Sequence, residues 1–202
     1  MVWYASYGSN LCAERFGCYI AGGTPRGATR PCRGARDTTS PRQDRPLEIP
    51  YPLYFAGRSR TWGGAPSFID IVERRATPAR ARAYLITWEQ FEDVVAQENG
   101  RGVTSPIDVA PDDLAVGRNH PFGSGRYESL LCVGRDDGTP VLTFTSPWTM
   151  AHAELGTPTP NYLRTMIDGL RESHKLRDDA ITAYLGAAPG CSEELVASAL
   201  AL

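Results

Sequence analysis

The order in which two hydrophobic periodicities follow one another does most to limit what this chain can fold into. Residues 3–7, 51–55, 67–72, 81–87, 127–133 and 140–146 carry the short clustered or alternating apolar runs of strands. Helical spacing dominates the end of the chain. Leu163, Met166, Ile167 and Leu170 fall on one face after Thr159-Pro160, and two short helices follow, after Asp178 and after Ser192. Strands first and helices mostly last predict an α+β fold around a mixed or antiparallel sheet. The 202 residues suffice for one sizeable core and do not require two domains.

Local signals punctuate these runs. Thr87-Trp88-Glu89-Gln90 is a capping box that starts a helix; Trp88, Phe91, Val94 and Val95 form its apolar face, and Asn99-Gly100 end it. Asp136-Asp137-Gly138 turns a hairpin. Tyr7 is followed by Gly8-Ser9-Asn10, where Ser9 or Asn10 is placed to cap a short helix over residues 11–16. Residues 22–50 and 101–126 are rich in Gly, Pro and polar residues and read as irregular excursions.

Composition excludes several function classes. A net charge of −2 gives no electrostatic reason for nucleic acid or an anionic membrane as partner. Six arginines between Arg26 and Arg45 read as a solvated basic loop. Arginine outnumbers lysine so strongly, with only Lys175 present, that arginine content reflects coding bias. No apolar run reaches the ~20 residues of a membrane span. Five cysteines, odd in number and without metal-ligand spacing, predict free thiols in a reducing cytoplasm. His120, His152 and His174 lie far apart without partner acids or thiols. There is no Walker loop, dinucleotide fingerprint or nucleophile elbow.

Two elements remain. The Tyr7-Gly8-Ser9-Asn10-Leu11 turn offers successive backbone amides near a helix start, suited to an anion. Glu98 ends the capped helix, where the helix dipole disfavours negative charge. That misplacement hints at a task.

Together these residues resemble the γ-glutamylcyclotransferase family. Trp3-Tyr4 and the Tyr7–Leu11 turn match its opening motif, and Thr61-Trp62-Gly63-Gly64 echoes a later one. Glu98 holds the place of its catalytic glutamate, Gly125-Arg126-Tyr127 matches the next strand, and Pro158-Thr159-Pro160-Asn161-Tyr162 opens the C-terminal helix. The order holds over roughly residues 1–185. Three differences stand out: Asn99 separates Glu98 from Gly100, residues 101–126 are longer than in relatives, and Phe144 stands where relatives place tyrosine.

The resemblance implies a small mixed or antiparallel β-barrel flanked by helices. It also implies a single domain over 1–202, with 186–202 as a helical extension. No cofactor and no metal are expected, and the partner is a small γ-glutamyl substrate, for a monomer or homodimer. The substrate α-carboxylate would meet the amides of Gly8, Ser9, Asn10 and Leu11, with Tyr7 beside them. Glu98 would shuttle the proton while Tyr127 holds the substrate, and Trp62 is expected in the core. Residues 101–126 would act as a lid touching ligand through His120 or Phe122. Two alternatives stand beside this one: a non-catalytic binder of the same fold, and a hydrolase using Cys12.

Overall fold

The computed structural model describes residues 1–26, 31–59, 61–103 and 106–202. Its elements run β1 (Val2–Ser6), α1 (Ala13–Ala21), β2 (Gln43–Ile49), β3 (Leu53–Phe55), β4 (Ser67–Ile69), β5 (Ala79–Ile86) and α2 (Trp88–Glu98). There follow β6 (Asn119–Pro121), β7 (Ser129–Asp136), β8 (Thr139–Thr145), α3 (Pro160–His174), α4 (Asp178–Gly186) and α5 (Glu193–Leu200).

Alternation along β1 divides the interior in two. Trp3 and Ala5 join one hydrophobic cluster, Val2 and Tyr4 the other. A strand covered on both faces is apolar throughout, which explains the unbroken run at residues 3–5. β1 pairs antiparallel with β5 and parallel with β8, so the sheet is mixed. Its order is β2-β5-β1-β8-β7-β6. The β7–β8 hairpin turns at Asp137 and Gly138, both at positive φ.

The α+β class holds, but the sheet does not close into a barrel. β2 and β6 are its edges, and β3 and β4 pair with each other in a separate two-stranded sheet. The excursions also gain structure. Residues 22–50 contain β2, whose exposed polar side chains and Pro46 hid it from a hydrophobic pattern; proline is tolerated there because β2 is an edge. Residues 101–126 supply β6 and bury Ile107 and Leu114 in the second cluster. The Ile107 amide donates to Glu92 Oε1 at 2.9 Å. This segment is part of the core, with residues 104–105 outside the described set, as are Arg30 and Arg60.

The capping box at α2 forms in both directions: Thr87 Oγ1 accepts from the Gln90 amide and Gln90 Oε1 from the Thr87 amide, each at 3.0 Å. α3 is capped by Thr159. Its Leu163, Met166, Ile167 and Leu170 pack with Ile181, Leu185, Val196 and Ala199, so α5 belongs to the core. The first helix departs from expectation. A 3₁₀ turn at Ser9–Leu11 precedes α1, and Cys12 occupies its N-cap without a side-chain hydrogen bond. Gly169 of α3 seats against this turn: a Cβ there would lie 2.4 Å from the Cys12 nitrogen and the Leu11 carbonyl carbon. All five cysteines are free. Among the described residues no helix is long and apolar enough to cross a membrane.

Candidate active site

β1 delivers the chain to a tight turn whose backbone is left bare. Gly8 passes so close to its neighbours that a Cβ would sit 2.6 Å from Ser67 Oγ and 3.2 Å from the Tyr162 hydroxyl. The 3₁₀ turn closes through the Leu11 amide, which donates to the Gly8 carbonyl at 3.0 Å, and the Cys12 amide, which donates to Ser9 at 3.2 Å. Leu11 is therefore corrected out of the expected anion cradle: its amide is spent in the turn and its side chain is buried in the first cluster. The amides of Gly8, Ser9 and Asn10 make no hydrogen bond among the described residues.

Neither Ser9 nor Asn10 caps a helix. Asn10 Nδ2 instead donates to Glu98 Oε1 at 3.2 Å and reaches the Tyr4 hydroxyl at 3.3 Å, with its Oδ1 buried and unpartnered among the described residues. The turn and the end of α2 thus meet across 88 positions of sequence. They open on a cavity of about 810 Å³ lined by Tyr7, Gly8, Ser9, Asn10, Glu98 and Tyr127.

Burial pushes the Glu98 carboxyl above the usual carboxylate range, because the charged form loses solvation. The Arg15 guanidinium, the Tyr19 hydroxyl and the hydrogen bond from Asn10 pull the other way. A carboxyl with raised proton affinity is suited to accept a proton and return it.

The remaining predicted residues take more modest places. Tyr7 donates its hydroxyl to the Phe144 carbonyl at 2.8 Å, so it braces the turn. Tyr127 donates to the Ser67 carbonyl at 2.9 Å and stacks on Phe68 at 4.9 Å, which makes it wall more than donor. Asn99, the residue inserted after Glu98, holds Tyr127 from both sides: its Nδ2 donates to the Tyr127 carbonyl at 3.0 Å and its Oδ1 accepts from the Tyr127 amide at 3.3 Å. Of the described residues in 101–126, only Arg101, Gly125 and Arg126 line the cavity, so the expected contacts through His120 and Phe122 are corrected: neither lines it. They are drawn aside because this stretch pairs and packs against β7. Cys12 faces Glu172 at 3.9 Å, outside the cavity lining, and burial raises its thiol away from the reactive thiolate. Among the described residues no group of three His, Cys, Asp or Glu is placed to hold a metal.

No family model matches the chain. A curated relative, histone deacetylase 5 of Arabidopsis thaliana, is 33% identical over 199 residues, 91% of this chain. The chain spans only 30% of that relative's length. Among solved structures, an uncharacterized protein from Homo sapiens superposes with a TM-score of 0.55 at 16% identity over 98% of both chains. A gamma-glutamyl cyclotransferase superposes with a TM-score of 0.52 at 15% identity, covering 100% of this chain and 99% of that one. The fold is that of a gamma-glutamyl cyclotransferase. At these identities the likeness is one of architecture.

Within that fold, sequence reasoning missed Arg15, Tyr19, Trp62, Ser67 and Tyr162, all of which line the cavity. Trp62, expected in the core, is half-buried and faces the Arg15 guanidinium at 5.4 Å. One signal pointed to Arg15: it shares the buried side of α1 with Phe16, Tyr19 and Ile20, where a charge is out of place. Ser67 and Tyr162 carry no such mark. Their contact with each other, 2.8 Å between hydroxyls, spans 95 positions.

Proposed function

We propose that this protein cyclises a γ-glutamyl group to 5-oxoproline and releases an amine or amino acid. The observation that carries this reading is a half-buried carboxyl with a raised proton affinity, Glu98, hydrogen-bonded to Asn10 of the turn whose residues Gly8, Ser9 and Asn10 line the same cavity. The substrate α-carboxylate lies against the amides of Gly8, Ser9 and Asn10, near the start of α1. That anchor brings the adjacent α-ammonium toward Glu98, which takes one proton. The freed amine attacks the γ-carbonyl carbon; a new C–N bond closes the five-membered ring as the bond to the leaving amine breaks. Glu98 returns its proton to the departing nitrogen.

The nucleophile belongs to the substrate, so the protein supplies orientation and a proton shuttle. Tyr127, Phe68 and Phe144 form an aromatic wall, with Tyr127 and Phe144 rings 5.8 Å apart. The test is 5-oxoproline release from a panel of γ-glutamyl amino acids, γ-glutamyl amines and glutathione, each with its α-carboxylate free or amidated. Release from free-carboxylate compounds and strong loss on amidation is expected. A protein that binds panel members yet releases no 5-oxoproline is a binding module, and the reading fails.

A further inference from the structure

The cavity holds more cations than its carboxylates engage. Arg15, Arg33, Arg101 and Arg126 line it, and its described carboxylates are Glu98 and Glu128. Glu128 is committed: it pairs with Arg101 and accepts from the Gly125 amide at 2.6 Å. Arg33 and Arg126 lie exposed, where water solvates them. Arg15 has neither remedy. It is 6% exposed and forms no ion pair among the described residues. Nη2 donates to the Tyr19 hydroxyl at 3.0 Å and Nη1 reaches Cys32 Sγ at 3.5 Å, while Nε is buried without a partner among the described residues. Each terminal nitrogen keeps a second hydrogen for another acceptor.

The fork is also held in place before any ligand arrives. Its carbon lies 4.8 Å from the centre of the Tyr19 ring and 5.4 Å from that of Trp62. Trp62 is fixed through its backbone: its amide donates to Ser59 Oγ and its carbonyl accepts from Thr159 Oγ1, each at 3.2 Å. The Tyr19 carbonyl accepts from Gln97 Nε2 at 2.9 Å. A planar guanidinium packed against two aromatic rings, with donors to spare, matches the geometry of a carboxylate. A buried cation without a counter-ion is unfavourable, and an anionic ligand removes the imbalance. In the cyclotransferase reading, on which this step rests, the Gly8–Asn10 turn already meets the substrate α-carboxylate. The acid left for Arg15 therefore belongs to the other end of the molecule. We propose that Arg15 is a specificity-determining residue that receives a carboxylate on the leaving group. The preferred substrates are then γ-glutamyl amino acids or short γ-glutamyl peptides. Simple γ-glutamyl amines, which bring no second acid, are poor ones.

The experiment compares γ-glutamylglycine with γ-glutamylglycinamide, and glutathione with its C-terminal amide, in wild type and in Arg15→Gln. Each pair differs by one negative charge and hardly in shape. Wild type is expected to favour the acid of at least one pair by about ten- to a hundredfold in kcat/KM. Arg15→Gln is expected to bring that ratio close to one. A wild-type ratio near one in both pairs overturns the proposal. So does a ratio that Arg15→Gln leaves unchanged, because the charge is then read elsewhere or Arg15 acts on every ligand alike. A further compound, γ-glutamylglycine with its α-carboxylate amidated, separates the two acids. If Arg15→Gln abolishes the penalty for that change instead, Arg15 holds the α-carboxylate and the proposal fails. Should Arg15→Gln not fold, Arg15→Lys decides: it keeps the charge, loses the planar fork and must lower the ratio. If wild type releases no 5-oxoproline from any compound, the cyclotransferase reading fails. The same ratios, taken as Kd by calorimetry, then still decide whether Arg15 receives the acid, and absence of binding to every compound overturns both.

Discussion

The two hydrophobic clusters on either side of β1 are made of different material. Beneath α3, α4 and α5 the first is aliphatic, with Leu163, Met166, Ile167, Leu170, Ile181 and Leu185 fully buried; its aromatic residues, Trp3, Tyr7, Tyr51, Phe55 and Tyr162, come from the rest of the cluster. Beneath α1 and α2 the second is aromatic: Tyr4, Phe16, Tyr84, Phe91 and Phe144 meet at centroid distances of 4.1–6.5 Å. Aliphatic packing leaves no polar atom to satisfy. Aromatic packing brings hydroxyls and their demands inside. Buried side-chain polar atoms without partners among the described residues include those of Ser6, Asn10 and Arg15, all lining the cavity. One face holds the molecule together; the other holds unsatisfied groups in readiness for a ligand.

Substitutions on the two faces should therefore separate stability from chemistry. The largest effect expected is on the aromatic side: Glu98→Gln keeps shape but cannot take a proton, and turnover should fall by about 10²–10⁴-fold with folding intact. Steady-state 5-oxoproline release measures it, and near wild-type turnover would remove Glu98 from the mechanism. On the aliphatic side, Leu170→Ala should lower unfolding free energy by about 2–5 kcal/mol in denaturant titration, while turnover per folded molecule stays within twofold. A large drop in turnover there would erase the division.

Gly169→Ala tests the joint between the faces, because its Cβ would run into the backbone of Leu11 and Cys12. Overpacking of this kind typically costs 1–3 kcal/mol, outweighing the ~1 kcal/mol gained in helix propensity. It should also weaken substrate binding by shifting the turn, seen as a raised KM. Thr87→Ala removes one half of the α2 capping box and should cost about 1 kcal/mol, checked by thermal unfolding.

The smallest effect sharpens the contrast through pH. Burial raises the Glu98 carboxyl in the folded state above its unfolded value. Folding is then favoured by this group below the ordinary carboxylate range and loses that support as pH rises through the raised value. Glu98→Gln should thus unfold at a higher temperature than wild type at pH 8, with the gap closing below pH 4. A gap of constant size across that range would point to packing instead of ionisation.

How much of this was readable in advance depended on whether a residue's task was local. The α2 cap, the hairpin at Asp137-Gly138 and the α3 face were legible because each is fixed by residues within a few positions. Glu98 and the Gly8–Asn10 turn were legible as oddities: a carboxylate at the wrong end of a helix, and a strand ending in bare backbone. β2 was not, since an exposed edge strand with a proline has no alternating apolar pattern to display. The open sheet was not, since closure depends on where β3 and β4 find partners. Arg15 was marked only by its charge on the apolar side of α1, and Tyr162 not at all, because both reach the cavity through tertiary contacts that spacing does not measure.

The paired hydrogen bonds between Asn99 and Tyr127 have a consequence for how this molecule can be rebuilt. They join the two ends of the 101–126 excursion at its base, and Arg101 with Glu128 adds an ion pair just outside them. Extra residues added beside this neck, outside the packed Ile107, Leu114 and β6, carry little entropic penalty, since closure grows only with the logarithm of length. The neck is thus a natural port, at which a reporter or a longer recognition segment could be grafted within reach of the cavity without disturbing its geometry.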